Sequence, residues 1–430
     1  MQTSLQAIAN KAEQNGSYRF GNLYTMLNRL NLEDSWQYMN RKAAPGVDSE
    51  TVQDYEQNFA KNIPDLVERL KQKRYRARLV KRVNIPKDGD KVRPLGLPVI
   101  EDKLVQTAAS RILNAIYEQD FLSCSHGYRP NRGPGEASKV LAKELNSNAY
   151  NWIVEADIKG FFDNIDHDWL IKMLERRVND QAFLRLIRKW LKAGVLEATG
   201  EVLHPTAGTP QGGVISPVLA NVYLHYVLDL WFQKVVKRHC EGVAYLCRFA
   251  DDFVCAFESE RDARRFYQVL GKRMAKFGLE LAPEKTRLIP FQRNSGKESF
   301  DFLGFEYRWA TSKRGNRWVK RRTSRTRLRK SVKNLKEWIK EKRFLKLGFM
   351  FHLLNLRLRG YYNYYGVIGN SQGLAEFFWH VRGMLFKWLN RRSQRRSYTW
   401  KGFFRMLDYY RIERPRIVEQ SGSQLSFDSL

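Results

Sequence analysis

Residues 243–257 read Val-Ala-Tyr-Leu-Cys-Arg-Phe-Ala-Asp-Asp-Phe-Val-Cys-Ala-Phe, two apolar halves around a pair of acids. Each half has the length and composition of a short buried strand, so the stretch predicts a tight hairpin with Asp251 and Asp252 at its tip. Carboxylates at a turn between buried strands are costly without a partner, and Mg²⁺ is a hard cation that prefers oxygen ligands. The hairpin is therefore predicted to bind a divalent cation at its tip.

A third acid, Asp157, follows the apolar stretch Trp152-Ile153-Val154. The pattern changes from strand to helix after this acid, and sites in α/β sheets usually lie where strands end. Nucleotidyl transfer uses two divalent ions about 4 Å apart, one on the attacking hydroxyl and one on the triphosphate, and carboxylates hold both ions. The acidic pair alone is a weak signal, but three acids so placed indicate a two-metal polymerase site.

The chain is strongly basic. Its 430 residues are 43% hydrophobic, as in globular proteins of two or three domains, and they include 75 Lys and Arg against 45 Asp and Glu. Residues 313–401 alone hold 25 Lys and Arg against 3 Asp and Glu, and 18 aromatic residues lie between Phe344 and Tyr410. This mixture suits phosphate contacts and base stacking, so nucleic acid is the predicted partner.

The composition also argues against several other classes of protein. No apolar run approaches the length of a membrane span, so we expect no membrane partner. The four cysteines form no Cys-x-x-Cys pair, and no secretory signal opens the sequence. Both observations argue against a disulfide framework or a zinc knuckle and predict a reducing, cytoplasmic location.

Periodicity and turn residues predict the elements around the acids. Residues 82–98 indicate a β-hairpin with basic flanks and a polar tip, and residues 101–117 carry a helical apolar stripe. A loop rich in glycine, 207–213, separates the two acidic motifs. Further helices are predicted at 180–196, 216–230, 260–278, 323–345, 349–365 and 372–392, and strand segments at 287–291 and 300–307.

Five motifs occur together in one order. They are Tyr128-Arg129-Pro130-Asn131-Arg132, Asp157-Ile158-Lys159-Gly160-Phe161-Phe162-Asp163, Gly208-Thr209-Pro210-Gln211-Gly212-Gly213, Phe249-Ala250-Asp251-Asp252 and Phe302-Leu303-Gly304-Phe305. In this order and spacing they resemble the bacterial group II intron-encoded reverse transcriptase and maturase family. The likeness extends into the basic region, where residues 359–365 and 388–392 resemble that family's thumb, or maturase, domain. Phe249 departs from the family, which usually has tyrosine there.

The resemblance implies an α+β fold of the right-hand polymerase type, with fingers and a βαββαβ palm followed by an all-helical thumb. The implied domains are a helical N-terminal extension at 1–80, fingers and palm at 81–310, the thumb or maturase domain at 311–418 and a flexible tail at 419–430. The implied partners are an RNA template, a DNA or RNA primer and dNTPs, in the bacterial cytoplasm.

The family also implies roles for individual residues. Asp157, Asp251 and Asp252 would be catalytic and would bind two Mg²⁺ ions, with Mn²⁺ as the alternative ion. The Ile158 carbonyl would be an extra metal ligand.

Four residues are implied to bind the incoming nucleotide. Lys87 and Arg93 on the predicted basic hairpin would hold the triphosphate, because an ammonium and a guanidinium fork both suit phosphate oxygens. Phe162 would exclude a ribose 2′-hydroxyl, whereas the competing interpretation makes it a core residue. Gln211 would hydrogen-bond near the nucleotide sugar or the templating base.

A third group is implied to contact the primer and template. Leu303 and Gly304 resemble the primer grip, and Lys285 resembles the basic position beside it, although simple strand packing would also explain them. The remaining implied contacts are cations of the basic region, Arg391, Arg392, Arg395 and Arg396.

Three hypotheses about function stay open. The first is an RNA-directed DNA polymerase that also binds its parent intron RNA and assists splicing and mobility. The second is an RNA-binding splicing factor with little polymerase activity, against which the intact acids argue. The third is a host-adopted reverse transcriptase in CRISPR adaptation, phage defence or DNA repair. We expect no HNH endonuclease, so a mobile form would need another primer, such as a nascent strand at a replication fork.

Overall fold

The computed structural model describes residues 2–86, 92–197, 199–294, 298–312, 314–392 and 397–419. The chain forms two compact units, each built from separate stretches of sequence. The first unit comprises residues 1–133, 154–255 and 261–288, and the second comprises residues 134–153, 256–260 and 289–430. Within the described residues, no helix is both long enough and apolar enough to cross a membrane.

The elements follow one another in mixed α and β order. The helices are α1 (Gln2–Gln14), α2 (Arg29–Trp36), α3 (Val52–Gln57), α4 (Phe59–Lys71), α5 (Ile100–Tyr117), α6 (Pro134–Ser147), α7 (His167–Leu174), α8 (Gln181–Leu191), α9 (Ser216–Leu224), α10 (Lys237–His239), α11 (Glu260–Ala275), α12 (Arg325–Lys342), α13 (Leu347–Tyr365), α14 (Ser371–Leu389) and α15 (Trp400–Tyr409). The strands are β1 (Val80–Pro86), β2 (Val92–Leu97), β3 (Trp152–Asp157), β4 (Val195–Leu196), β5 (Val202–Leu203), β6 (Ala244–Phe249), β7 (Asp252–Phe257), β8 (Arg287–Pro290), β9 (Ser299–Phe302), β10 (Phe305–Thr311) and β11 (Arg317–Thr323).

The acidic motifs lie on a four-stranded sheet of order β6-β7-β3-β8. Along the chain, helices α7 to α10 separate β3 from the β6–β7 pair, and α11 separates that pair from β8. This is the βαββαβ order that the resemblance implies for a palm, so that prediction is confirmed. Ile153, Val154 and Ala156 of β3 are fully buried, and the apolar run ends at Asp157.

A second sheet carries the predicted basic hairpin. Strands β1 and β2 pair antiparallel with Ile85 opposite Arg93, and the sheet order is β2-β1-β4-β5. The tip of the hairpin, residues 87–91, lies outside the described residues. Helix α5 follows, and the four positions of its predicted apolar stripe are all fully buried: Leu104, Ala108, Ile112 and Ile116.

Two helices end earlier than the periodicity predicts. The helix predicted at 180–196 ends at Leu191, because Val195 and Leu196 pair with β1 as the short strand β4. The helix predicted at 216–230 begins at Ser216, but α-helical geometry ends at Leu224 and the π-helical segments 225–229 and 232–236 follow. In both cases the apolar pattern continues beyond the regular helix.

The second unit contains helix α6, a three-stranded sheet of order β11-β10-β9 and the helices α12 to α15. The three basic helices predicted from the sequence correspond to α12, α13 and α14, whose buried core includes Leu354, Tyr362, Val381 and Leu385. Strand β11 and the helices α6 and α15 are not among the predicted elements. The sequence of β11 does not show the alternation of a strand, because a charged residue, Arg321, occupies one of its buried positions. Glu419 makes this burial possible, since its carboxylate accepts two bonds from Arg321 Nη2 at 2.6 and 2.7 Å.

Candidate active site

The acidic hairpin turns between β6 and β7 within the first unit. Ala250 takes the left-handed backbone conformation there, with φ of 57°, which is uncommon for a residue with a side chain. The chain around Gly127 packs directly on this turn, because a Cβ at Gly127 would lie 2.3 Å from the Ala250 nitrogen. The strained turn and the close approach together fix where Asp251 and Asp252 lie.

The buried Arg248 supports the backbone of the hairpin turn. This residue is not among the site residues predicted from the sequence. Its side chain is completely buried and forms a two-bond ion pair with the equally buried Asp229, at 2.7 and 2.6 Å. The same guanidinium donates to the Ala250 carbonyl at 3.0 Å and to the Ser125 hydroxyl at 2.7 Å. A buried guanidinium with this many acceptors has one permitted position, so it holds the backbone of the turn. The signal in the sequence was an arginine inside an apolar strand.

Asp157 lies at the end of β3 and forms an ion pair with Lys285, whose Nζ is 2.5 Å from Asp157 Oδ2. The carboxylate is about one-fifth exposed, so the pair is open to solvent exchange. The pKa of Lys285 is raised, chiefly because its ammonium group donates a hydrogen bond to Asp157. Backbone contacts place this acid, since Ala282 N donates to the Asp157 carbonyl at 2.8 Å and Ile158 bridges to Leu281.

The three aspartates influence one another electrostatically. Burial raises the pKa of Asp251, and the charge of Asp157 raises it further. Burial raises the pKa of Asp252 to about 7, with added repulsion from Asp157 and Asp251. A carboxylate with a raised pKa gains from any nearby cation, because a positive charge relieves both the desolvation and the repulsion.

The donor set fits a hard divalent cation in chemical type. Clustered carboxylate oxygens are the ligands that Mg²⁺ prefers, and burial and mutual repulsion, which raise the pKa values of Asp251 and Asp252, are both relieved by a bound cation. Among the described residues, no group of three or more His, Cys, Asp or Glu is already arranged around one point as a metal cage. The Asp157 carboxylate is instead turned to Lys285.

Arg93 and Tyr128 lie near the acids. Arg93, on β2, is close enough to Asp251 to lower its pKa, opposing the effect of burial. The same two charges act on Tyr128. Burial is the main cause of its raised pKa, the charge of Asp251 raises the pKa further, and the charge of Arg93 lowers it. The structure therefore brings Arg93 together with Asp251, whereas Lys87 lies outside the described residues.

The glycine-rich loop is anchored on both sides of the site. Thr209 N donates to the Phe162 carbonyl at 2.7 Å, and Gly96 N donates to the Gln211 carbonyl at 2.6 Å. Gly212 has φ of 117°, and a Cβ there would lie 2.6 Å from the Gly96 carbonyl oxygen. Only glycine allows this approach, so the loop places Gln211 against β2, the strand that carries Arg93.

Phe161 and Phe162 have different environments. Phe161 is buried, with 2% of its surface exposed, and its ring contacts Tyr223 in the interior. Phe162 is half-buried, and the edge of Tyr128 packs on it with ring centroids 6.2 Å apart. Phe161 is thus the core residue of the pair, and a role for Phe162 in selecting the sugar stays a prediction.

The remaining predicted contacts lie in the second unit, except for Arg395 and Arg396, which lie outside the described residues. Leu303 and Gly304 form the turn between β9 and β10, with φ of 51° and 79°, and Tyr364 Oη donates to the Leu303 carbonyl at 2.8 Å. Arg391 is exposed and stacks over Trp388 at 5.6 Å. Arg392 is half-buried and donates to the Leu345 carbonyl at 3.0 Å, so part of its bonding capacity serves the fold.

Comparison with known proteins assigns the class. The reverse transcriptase (RNA-dependent DNA polymerase) family matches residues 85–307, and the group II intron maturase-specific domain matches residues 328–405. The first match covers more than half of the chain and includes the acidic hairpin, Asp157, the glycine-rich loop and Arg93. The chain belongs to the reverse transcriptase family, as its motifs predict.

Individual relatives agree with this class. The group II intron-encoded protein LtrA of Lactococcus lactis subsp. cremoris is 36% identical over 291 residues, which are 66% of this chain and 47% of that protein. The protein YkfC of Escherichia coli is 34% identical over 239 residues, 49% of this chain and 62% of that protein. The chain thus spans about half to two-thirds of the length of these relatives. A telomerase structure from Candida albicans aligns at only 15% identity and a TM-score of 0.44, over 86% of this chain and 69% of that chain.

Proposed function

We propose that this protein is an RNA-directed DNA polymerase that joins dNTPs to the 3′-hydroxyl of a primer. The observation that carries the proposal is the electrostatic cluster of Asp157, Asp251 and Asp252 beside Arg93. Membership of the reverse transcriptase family supports the same reaction. Three carboxylates and one guanidinium supply both halves of the chemistry, which are metal ligation and recognition of a triphosphate.

The three aspartates, with the Ile158 carbonyl, would hold two Mg²⁺ ions that acidify the primer hydroxyl and balance the charge developing on the α-phosphate. Arg93 would bind and orient the triphosphate through its guanidinium fork. Lys285 would keep the Asp157 carboxylate oriented, through the ion pair at 2.5 Å, until a primer end arrives. Arg248 would keep both hairpin acids in position, because its bond to the Ala250 carbonyl holds the backbone of the turn.

Selection of the nucleotide would depend on Phe162 and Gln211. The half-buried Phe162 ring would exclude a ribose 2′-hydroxyl by steric contact. Gln211, on a loop bonded to both β2 and the Phe162 carbonyl, would bond near the sugar or the templating base. Because one loop carries Gln211 and also bonds to Phe162, the two residues would select the incoming nucleotide together.

The decisive experiment is primer extension on an RNA template with dNTPs and Mg²⁺. We expect the native chain to make full-length cDNA and the Asp251→Ala/Asp252→Ala double variant to make none, because the variant loses two of the three carboxylates that would bind the metal ions. RNA binding by the variant, measured by fluorescence anisotropy, should stay close to that of the native chain. Equal synthesis by both proteins would refute the site.

A second function, binding of a group II intron RNA to assist its splicing, is supported by the maturase-specific match at residues 328–405. The basic composition of that region suits the same role. The test is the self-splicing rate of a group II intron RNA with the native chain or the double variant. Acceleration by both proteins would separate splicing from synthesis, and tight RNA binding without cDNA from either would favour the splicing-factor hypothesis. A host-adopted role would instead require neighbouring adaptation or defence genes.

A further inference from the structure

The second unit contains a cavity of about 380 Å³ that the polymerase site does not use. Its walls are the end of β11, the first turns of α12 and the first turn of α14 with the loop before it. We refer to this feature as the cationic cavity. Its lining residues are Lys320, Arg322, Thr323, Arg325, Leu328, Arg329, Gly369, Gln372, Gly373 and Glu376.

Regular geometry brings four cations to this cavity. Lys320 and Arg322 are two residues apart on β11, so their side chains leave the same face of the strand. Arg325 and Arg329 are four residues apart on α12, so they lie on one face of the helix. The two cations of the strand and the two cations of the helix therefore line the same cavity.

Most of this positive charge is not neutralised by the protein. Arg322 is paired with Glu306 through two bonds of 2.8 Å, so it is held in place and contributes little net charge. Lys320, Arg325 and Arg329 form no ion pair with any described residue. Among the described lining residues, Glu376 is the only acidic one, so a single negative charge faces three cations that have no ion-pair partner.

The first turn of α14 adds backbone donors to the same cavity. The side chain of its N-terminal cap, Asn370, does not cap the helix but accepts from Thr323 N at 3.0 Å and donates to Thr323 Oγ1 at 2.8 Å. The N–H groups of residues 371–373 therefore have no acceptor among the described residues. Unpaired N–H groups at a helix N-terminus favour an anion.

Two glycines keep the cavity wall open. A Cβ at Gly373 would lie 2.4 Å from the Asn370 side-chain oxygen, and one at Gly369 would lie 2.5 Å from the Trp318 ring. Gly369 also has φ of 95°, which side chains rarely adopt. The backbone of the α14 turn can therefore approach a ligand directly, between the cations of β11 and those of α12.

We propose that the cationic cavity is a phosphate-binding site, separate from the triphosphate contacts of the polymerase site. Its ligand is a phosphate group, either within the backbone of a nucleic-acid strand or at a strand terminus or free in solution. Arg325 and Arg329 supply guanidinium forks, Lys320 supplies a point charge, and the α14 turn supplies backbone donors. The proposal does not rest on polymerase activity.

The test measures binding of three probes to the full chain without Mg²⁺ or dNTPs, at constant ionic strength. The probes are inorganic phosphate, a short single-stranded RNA with a 5′-phosphate, and the same RNA with a 5′-hydroxyl. Arg325→Gln/Arg329→Gln removes two cations of the cavity. Lys401→Gln/Arg405→Gln is the matched control, because these exposed cations are also four residues apart on a helix of the same unit.

We expect the cavity variant to bind its phosphate ligand about tenfold more weakly or worse, and the control to retain more of the affinity. Equal weakening for both RNAs identifies a backbone phosphate. Weakening confined to the 5′-phosphorylated RNA and inorganic phosphate identifies a terminal or free phosphate. Identical affinities of the cavity and control variants for all three probes would overturn the proposal.

A variant that is expected to bind phosphate more tightly distinguishes loss of the site from loss of the fold. Glu376→Gln removes the negative charge from the cavity lining, so it should tighten binding of the same probe. A damaged fold cannot produce tighter binding at one site. Unchanged or weaker phosphate binding by Glu376→Gln, in a variant with native thermal stability, would count against the cavity as the site.

Discussion

The acidic hairpin of the first unit and the cationic cavity of the second unit both collect charge of one sign, but they support it differently. The hairpin acids depend on Arg248, which is fully buried and bonded to several fixed acceptors. In the cavity, Arg325 and Arg329 are exposed and unpaired among the described residues. The backbone that carries the hairpin acids is held by buried bonds, whereas the cavity cations form no ion pair among the described residues. The difference suits the two proposed roles, since metal ligands must be fixed in position and cations that bind phosphate must be available to it.

The largest expected effect comes from removing the support of the hairpin. Arg248→Met leaves Asp229 buried without a counter-charge, so we expect the free energy of unfolding to fall by about 3–5 kcal/mol. Urea denaturation of the full chain measures this loss. DNA synthesis should fall as well, because the Ala250 carbonyl loses its donor.

The double variant Arg248→Met/Asp229→Asn separates the two consequences. It removes the unpaired carboxylate, so much of the stability should return, while the turn remains unsupported and kcat stays low. Recovery of kcat together with stability would mean that Arg248 serves folding alone.

The second effect concerns selection of the nucleotide. Phe162→Ala should reduce the preference for dNTPs over rNTPs by roughly 10- to 100-fold, because the 2′-hydroxyl would no longer meet the ring. Competing single-nucleotide incorporation measures the ratio of kcat/KM values. Phe161→Ala is the control, since this buried neighbour should lower stability and leave the preference unchanged. An unaltered ratio in Phe162→Ala would return that ring to a packing role.

A third effect follows from the pKa of Asp252, which is raised to about 7. The carboxyl must lose its proton to bind Mg²⁺, so the proton competes with the metal below that pH. The Mg²⁺ concentration for half-maximal synthesis should therefore rise about tenfold for each pH unit below 7 and level off above it. Primer–template binding without Mg²⁺ over the same range is the control, and a half-maximal concentration that is constant from about pH 6 to 8 would contradict the assignment.

The smallest effect tests an exposed cation outside the cavity. Arg391→Gln should reduce the slope of log K against log salt for RNA binding by roughly 0.7 to 0.9, the share of one released counterion. Arg391→Lys keeps the charge and should keep the slope. A native slope in Arg391→Gln would remove Arg391 from the nucleic-acid surface.

The candidate site was largely predictable from the sequence, because its motifs are local. The acidic hairpin, the acid that ends β3 and the glycine-rich loop each depend on a few consecutive residues whose pattern fixes a turn or a strand end. Strand β11 was not predictable in the same way. Its buried Arg321 reads as a surface residue until Glu419, far along the chain, neutralises it.

The partnerships of the site depend on distant residues and could not be read from the pattern. Lys285 and Asp157 are 128 positions apart, and Arg248 and Ser125 are 123 positions apart. No periodicity links such pairs, because each pair meets only when distant segments come together in the folded chain. The same reason applies to the cationic cavity, where β11, α12 and α14 each contribute one wall.

The sequence by itself determined which chemical groups this protein has and where its strands and helices turn, since hydrophobic spacing, glycine and acid placement act over a few residues. Its basic composition likewise predicted a negatively charged partner. The tertiary structure decided which charges are neutralised and which remain available. Burial and ion pairing depend on contacts between distant segments, so they fixed Arg248 as a support, gave Asp252 its raised pKa and left Arg325 and Arg329 free.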